Sequence, residues 1–505
     1  MENYLLSIDN GRNEVRCALF NTEGRLIASA QRSLSKIEGT CDVQRNSEEV
    51  WQADIEVIRN VLQSSSADPE KILCIGITAS CNSIVFLDEQ MKEVHPMVLS
   101  DDRRAQKLCR QLKEDHTERQ LYPLTRSVLR PNQSSVILKW FSLHEPEVLQ
   151  KTRWILSNKD FIRYKLTDRI YAEVTEASSG GLVNLSNGHY DPHIFEILKI
   201  SGCYEKMPEL LDSIAIAGTV TKQSAALTGL KEGTPVCAGY YDLNAEALAS
   251  GMLSDEELCM IADTWSINEF LVGSVSESYD SMTNPATLSY VKGLYLMEDS
   301  AMKNANLLER CIRKIADLYA PELNKEDLSR QCDTLVSRRD PQRSSVIFVP
   351  SSFFGNKDQE SCGIFLNVSE DDDYVSLFRA VYEGVVFSTI YHIRNLKRPL
   401  YTYTAARLSG SIAASSIWPQ ILADTLCLPI RTIKGSYIGS KGAAIGAGVA
   451  CGIFKDLHDG IAQMVRPGKT FVPRKRFIPV YQEKYEMYES ALLNLLNEDQ
   501  KVLKI

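Results

Sequence analysis

The sequence predicts an α/β protein of at least two domains, and three observations predict it. Strand-like and helix-like hydrophobic patterns alternate along the chain. Its 505 residues exceed the size at which one hydrophobic core stops growing. A strand, a polar turn and a second strand stand near the start of each half, although the two turns share almost no identity.

The elements follow in order. Tyr4, Leu5, Leu6 and Ile8 read as a buried strand that ends at Asp9-Asn10-Gly11, and residues 15–20 leave that turn as a second strand. A carboxylate and a glycine there set backbone N–H groups beside one acidic side chain, which suits a metal-bound polyphosphate. The same pattern is also ordinary hairpin punctuation. Leu26-Ile27-Ala28 comes next. Asn46, with Glu49 three residues later, opens a helix in the manner of a capping box. Trp51, Ile55, Ile58 and Leu62 give that helix an apolar face suited to packing on a sheet. Residues 72–77 and 84–87 read as buried strands. In the middle of the chain, 234–242 is again a strand ending at a glycine and an aspartate, with a helix over 245–251 behind it. Residues 257–262 and the turn Asp263-Thr264-Trp265-Ser266 then open the second half.

Further on, residues 373–396 form a long amphipathic helix behind the acidic run Glu370-Asp371-Asp372-Asp373. Acidic residues at a helix start favour the macrodipole, so this run is structural. Residues 442–450, GAAIGAGVA, read as a helix of small residues packed very close to a neighbour. The stretch GSYIGSKG before it lacks the Gly-Lys-Ser/Thr adjacency of a P-loop and is rejected as one.

Composition narrows the function. An apolar fraction of 44% and a charged fraction of 24% are those of an ordinary globular protein. The net charge is −9 and no basic stripe is present, which argues against nucleic acid as a partner. No apolar run is long enough to span a bilayer, and Met1-Glu2-Asn3 does not begin a secretory signal, so no membrane association is expected. The thirteen cysteines are scattered singly, without Cys-x-x-Cys or Cys/His ligand spacing. Cys17, Cys74, Cys237 and Cys259 lie inside apolar runs as small hydrophobes. A reducing cytoplasm fits that usage.

Taken together, the pieces resemble the FGGY family of carbohydrate kinases, and within it the xylulose and L-xylulose (3-keto-L-gulonate) kinases. Four parts carry the resemblance between about residue 4 and about residue 490. Asp9-x-Gly11 is similar to the family's first phosphate motif. Ala238-Gly239-Tyr240-Tyr241-Asp242 stands where the family has its catalytic aspartate. SGSIAASSIWPQILADTLCLPI (409–430), followed by Gly442-Ala443-Ala444, looks like the adenosine region. The fourth part is diffuse: SDDRRA (100–105), LYPLTR (121–126), AVYEGVVFS (380–388) and Tyr481, Tyr485 and Tyr488.

The resemblance implies two domains of the actin/Hsp70/sugar-kinase (ribonuclease H-like) fold around a central cleft. An N-terminal sugar-binding domain would occupy 1–243 and a C-terminal nucleotide-binding domain 244–505. It implies ATP and Mg2+ as cofactors, a small sugar as substrate, and the possibility of a homodimer. Asp242 would be the base that takes the proton of the attacking sugar hydroxyl; the residue also suits a helix N-cap, and the two readings are compatible. Asp9 would anchor the magnesium, and Gly11, Arg12, Asn13, Arg16, Asp263 and Thr264 would line the phosphates. Gly410 and Ser411 would border the adenosine. Cys81 and Asn82 would touch the sugar, with Asp102 and Arg103 nearby; Arg103 and Arg104 are equally suited to surface ion pairs.

The departures from the family pattern cluster around the nucleotide. The first phosphate turn reads Arg12-Asn13-Glu14 where Thr or Ser is usual, with Arg16 in place of the usual lysine. Asp263 stands where glycine precedes Thr264, and Ser411 replaces a second glycine, with Ile412 after it. Ser80 takes the place of a glutamine in the sugar segment. Three classes therefore compete: an ATP-dependent sugar kinase with a modified nucleotide site, a degenerate kinase that binds sugar as a sensor or regulator, and an ATPase of the same superfold. Retention of the base and of the magnesium aspartate favours the first. Family-like segments running through the sugar domain disfavour the third.

Overall fold

The computed structural model describes residues 2–39, 41–262, 265–281, 285–302, 304–353, 362–395 and 400–502. The chain forms two compact units. The first comprises Met1–Leu253, Leu271–Met297 and Tyr437–Val465; the second comprises Ser254–Phe270, Glu298–Ser436 and Arg466–Ile505. The first unit thus runs on to Leu253 and takes in two further segments from beyond residue 243. No described helix is long and apolar enough to cross a membrane.

In the first unit, strands β1 (Tyr4–Asn10), β2 (Glu14–Asn21) and β3 (Leu26–Ser33) form an antiparallel meander. Helix α1 (Ser47–Ser65) follows, with the Asn46 side chain accepting from the Glu49 N–H at 3.1 Å. Only half of the capping box forms, because the Glu49 carboxylate accepts from the Ser35 hydroxyl instead. Strand β4 (Ile72–Ala79) then lies parallel to β1. The short strands Pro235–Cys237 and Tyr240–Tyr241 both run parallel to β4 on its other side.

Successive residues of β1 face opposite sides of this sheet. Leu6 and Ile8 pack with Val50, Trp51, Ile55, Val57, Ile58 and Val61 of α1 in one apolar core. The other side is covered by the small-residue helix, which spans Ile438–Ala450. A Cβ added at Gly76 of β4 would stand 2.1 Å from the carbonyl oxygen of Ala443, and one at Gly448 would stand 3.1 Å from Leu5. The close packing expected of GAAIGAGVA is therefore against the sheet, and at Gly442 also against the helix that carries Ala245.

The second unit repeats the opening topology. Glu257–Ala262 pairs antiparallel with Trp265–Val272, with Leu258 opposite Phe270, and runs parallel to Ala405–Ser409. Ile430–Lys434 and Arg466–Phe471 extend the sheet. The acidic-start helix spans Tyr374–Asn395, and Asp373 accepts from the Ser376 N–H at its first turn; Leu396 lies outside the described residues.

Candidate active site

Parallel register brings three sequence motifs to one end of one sheet. Asp9 lies beside Thr78, and Thr78 beside Tyr240; Asn10 lies beside Ala79, and Ala79 beside Tyr241. Thus Asp9-Asn10-Gly11, Ser80-Cys81-Asn82 and Asp242 all leave adjacent strands at their carboxyl ends, where open α/β sheets bind ligands. The Ser80 N–H donates to the Asn10 carbonyl at 2.9 Å, tying the first two turns together.

Asp9 is buried and points to the side covered by the Ile438–Ala450 helix. Its Oδ2 accepts from the Ser440 hydroxyl at 3.3 Å and lies 3.9 Å from Arg16 Nη1. Burial pushes its carboxyl pKa up, opposed by Arg16 and by the Ser440 hydrogen bond. Arg16 is shared, since its Nε also donates to Glu14 at 2.8 Å. A Cβ on Gly439 would stand 3.5 Å from Asp9 Oδ2 and 3.8 Å from Glu246 Oε1, so the glycine keeps a bare α-carbon between two carboxylates. Such a donor set fits magnesium, which takes one or two carboxylates together with substrate phosphates. Ser440 was missed by sequence reasoning. It belongs to GSYIGSKG, and the first turn of a helix, rather than a P-loop, delivers it.

Next in the turn, Arg12 gives its carbonyl to Arg45 Nη2 at 2.9 Å, and Asn13 gives its carbonyl to the Leu34 N–H at 2.8 Å. Asn13 itself is exposed, while Gly11 and Arg12 are half-buried. Asp263 and Thr264 lie outside the described residues.

Asp242 is the first residue of a helix, α2 (Asp242–Ser250), and Tyr241 is its N-cap. The N-cap reading of Asp242 is thereby corrected by one position. Its Oδ1 accepts from the next backbone N–H, Leu243, at 3.0 Å, and the side chain is half-buried. Its approach is fixed by Thr175, whose hydroxyl accepts from the Tyr241 N–H at 3.3 Å.

Of the expected sugar contacts, Cys81 is half-buried in the turn after β4. Asn82 adopts a left-handed φ of 60° and turns its side chain inward, where Oδ1 accepts from the Ser134 N–H at 3.3 Å. The Asn82 N–H donates to Glu176 Oε1 at 2.9 Å. Burial pushes the Glu176 carboxyl well up, opposed by Lys159, and Asp242 adds to the rise. Asp102 is fully buried and belongs to the scaffold: its carboxylate takes the Val43 N–H at 2.8 Å and Arg104 Nε and Nη2, each at 3.0 Å from one of its oxygens. Arg104 lies over both Trp140 and Phe141, 5.1 Å from each ring centre. The partner of Asp102 is therefore Arg104, and Arg103 is exposed. The reason is local: the carboxylate folds back over its own turn, where position i+2 faces it.

In the second unit, Gly410 has φ 94° and its α-carbon sits under Ala262, where a Cβ would come within 2.4 Å of the carbonyl oxygen. Ser411 borders a cavity of about 580 Å³, together with Ile312, Asp333, Tyr382, Ser415 and Ser416. Asp333 fixes that wall. It accepts from the Ser415 hydroxyl at 2.9 Å, from the Ser416 N–H at 2.5 Å and from the Tyr382 hydroxyl at 2.7 Å.

Comparison with known proteins agrees with this layout. The N-terminal domain of the FGGY family of carbohydrate kinases matches residues 4–249, and its C-terminal domain matches 258–451. The chain is 30% identical over 494 residues to a probable L-xylulose kinase of Pasteurella multocida, covering 96% of this chain and 98% of that protein. It is 29% identical over 501 residues to the L-xylulose/3-keto-L-gulonate kinase of Escherichia coli K12, covering 98% of each. The crystal structure of xylulose kinase from Rhodospirillum rubrum superposes with a TM-score of 0.86 at 21% identity, over 99% of this chain and 100% of that one, and shares the two-domain α/β fold.

Proposed function

The chain belongs to the FGGY family of carbohydrate kinases, phosphotransferases that act on a sugar hydroxyl, and from that premise we propose that it moves the γ-phosphate of ATP to a hydroxyl of xylulose or L-xylulose, or of a related polyol or sugar acid. The substrate class rests on the relatives named L-xylulose and L-xylulose/3-keto-L-gulonate kinase. One observation supports the reading most: the register that sets Asp9, Ser80 and Asp242 at adjacent strand ends. A phosphoryl acceptor, a metal anchor and a base must share one small space, and this sheet end offers all three.

Asp242 accepts the proton of the sugar hydroxyl as it attacks, which a half-buried carboxylate at a helix start is suited to do. Asp9 would hold magnesium, with Glu246 across the bare α-carbon of Gly439; when bound, the ion would supply charge neutralisation to the phosphates. The backbone of residues 11–13 cradles phosphate oxygens, with Arg16 close by. Gly410 and Ser411 border the adenosine, in the cavity that Asp333 braces.

The test is ADP formation from magnesium-ATP over a panel of ketopentoses, polyols and sugar acids. Turnover with one class, abolished in Asp242→Ala with sugar binding kept, supports the reading. Sugar binding without ADP formation would favour the regulatory alternative instead.

A further inference from the structure

Behind the phosphate turn, on the side of the sheet away from Asp9, two polar residues meet in the apolar core. Asn10 is 1% exposed and Asp54, on the inner face of α1, is 0% exposed. Asn10 Nδ2 donates to Asp54 Oδ2 at 3.0 Å. Both remaining oxygens, Asn10 Oδ1 and Asp54 Oδ1, are buried and have no hydrogen-bond partner among the described residues. Each is an acceptor when the carboxyl is ionised, and leaving a buried acceptor unsatisfied is costly. A single proton on Asp54 Oδ1 would turn one of these acceptors into a donor, and the amide already bonded to Asp54 carries the other unfilled acceptor.

Among the described residues, burial and the Asn10 amide are what act on the Asp54 carboxyl, and no cation acts on it. Cys17 of β2 faces Asp54 as a buried thiol, whose own pKa is driven well up by burial and by Asp54. Charges that reach α1 from other elements are Arg32 at Glu56, Lys165 at Glu48 and over the Trp51 ring, and Glu93, which accepts from the Ser47 N–H at the helix start. Burial accordingly lifts the Asp54 carboxyl to about 8, with the Asn10 amide opposing.

Asn10 is the hinge of the proposed site. It stands between Asp9 and Gly11, and its carbonyl holds the Ser80 N–H that begins the sugar turn. We propose that Asp54 is a positioning residue which, as a neutral carboxylic acid, clamps the Asn10 carboxamide from behind and so fixes the phosphate turn and the sugar turn in one register. The role in catalysis rests on the kinase reading; the clamp itself does not.

A neutral clamp and an anionic one differ in a single substitution. Asp54→Asn can donate to Asn10 Oδ1 and accept from Asn10 Nδ2, whereas Asp54→Ala can do neither. Amide hydrogen exchange on peptides covering 9–14 and 76–84 reads the clamp without requiring turnover. At pH 7 the expected result is wild-type protection in Asp54→Asn and at least tenfold faster exchange in both peptides of Asp54→Ala. Steady-state kinetics read its use: the KM for ATP and the KM for sugar should both rise roughly tenfold in Asp54→Ala, with a smaller change in kcat, and stay within about twofold of wild type in Asp54→Asn. Should Asp54→Ala fail to fold, the pH dependence decides. Wild-type protection of the two peptides, corrected for intrinsic exchange, should fall between pH 7 and 9.5, while that of Asp54→Asn stays level. The clamp is overturned if Asp54→Asn exchanges as fast as Asp54→Ala, if Asp54→Ala is indistinguishable from wild type, or if Asp54→Asn follows the wild-type pH profile. If wild type makes no ADP on any sugar while the exchange pattern holds, the kinase reading falls and the clamp stands.

Discussion

Gly442→Ala tests whether the packing of the small-residue helix sets the place of Asp242. A Cβ at this position would stand 1.9 Å from the carbonyl oxygen of Ala245 and 2.5 Å from its carbonyl carbon, both backbone atoms of α2 that no rotamer change can move. Reaching the 3.0 Å below which such contacts are essentially never seen requires the two helices to part by at least 1.1 Å, the difference between 3.0 and 1.9 Å. At an open position in a helix interior the same substitution would stabilise by about 1 kcal/mol, because alanine loses less backbone entropy. Overpacking costs about 1–3 kcal/mol, so the contact predicts the opposite sign: a net loss of up to about 2 kcal/mol. For a domain of this size that lowers the melting temperature by up to roughly 8 °C. Ala245 is three residues from Asp242, and a displacement near 1 Å at a reacting group costs on the order of a hundredfold in rate. Differential scanning fluorimetry and kcat, measured beside the control Gly202→Ala, where a Cβ would meet nothing within 4 Å, give the answer. If Gly442→Ala melts at or above wild type with unchanged kcat, the argument from close approach is refuted.

Other substitutions separate the parts of the site. Asp242→Asn should lower kcat by two to four orders of magnitude, the range of a general base, while calorimetric affinities for sugar and nucleotide stay within about twofold. Asp333→Ala removes the acceptor of Ser415, Ser416 and Tyr382; it should weaken ATP about tenfold, in keeping with lost bonds to a charged group, and leave the KM for sugar alone. A rise in both KM values would show that Asp333 supports more than the nucleotide wall. Stability against pH carries the signature of Asp54. Its carboxyl is raised in the folded state, so the unfolded chain loses this proton first, and stability falls as pH rises from the ordinary carboxyl range to about 8, then levels. Unfolding midpoints between pH 5 and 9 should show Asp54→Asn gaining on wild type, by at most about 1.4 kcal/mol per pH unit. Parallel curves would mean that Asp54 carries no proton.

Sequence reading succeeded where the determining contacts are local or periodic. Asn46 with Glu49 marks the start of α1, the apolar residues Tyr4, Leu5, Leu6 and Ile8 mark β1 as a buried strand, and GAAIGAGVA announces a helix that must approach backbone closely. It failed where one position decides the partner. Arg103 and Arg104 are equivalent as types, yet only the second faces Asp102. The N-cap reading that accompanies the base at Asp242 falls one position short, because the helix begins with Asp242 and Tyr241 already holds the extended conformation of a cap. Motif logic had a different blind spot at GSYIGSKG: the P-loop rule asks where a lysine falls, whereas the residue that matters is Ser440, 431 positions from the Asp9 it touches.

The Asn10–Asp54 pair shows what kind of signal was available and unread. On β1, Leu6, Ile8 and Asn10 share a face, and the first two lie in the core with α1. On α1, Val50, Trp51, Ile55, Val57, Ile58 and Val61 define the buried stripe, and Asp54 sits inside it. Each polar residue interrupts an apolar pattern at a position the pattern assigns to the interior. One such interruption reads as a defect, since burying a lone polar group is costly. Two, on elements that the hydrophobic periodicity already packs together, supply each other's partner. The pairing of interruptions is thus as physical a constraint as the pairing of apolar faces, and here it marks the residue behind the proposed phosphate turn rather than one within it.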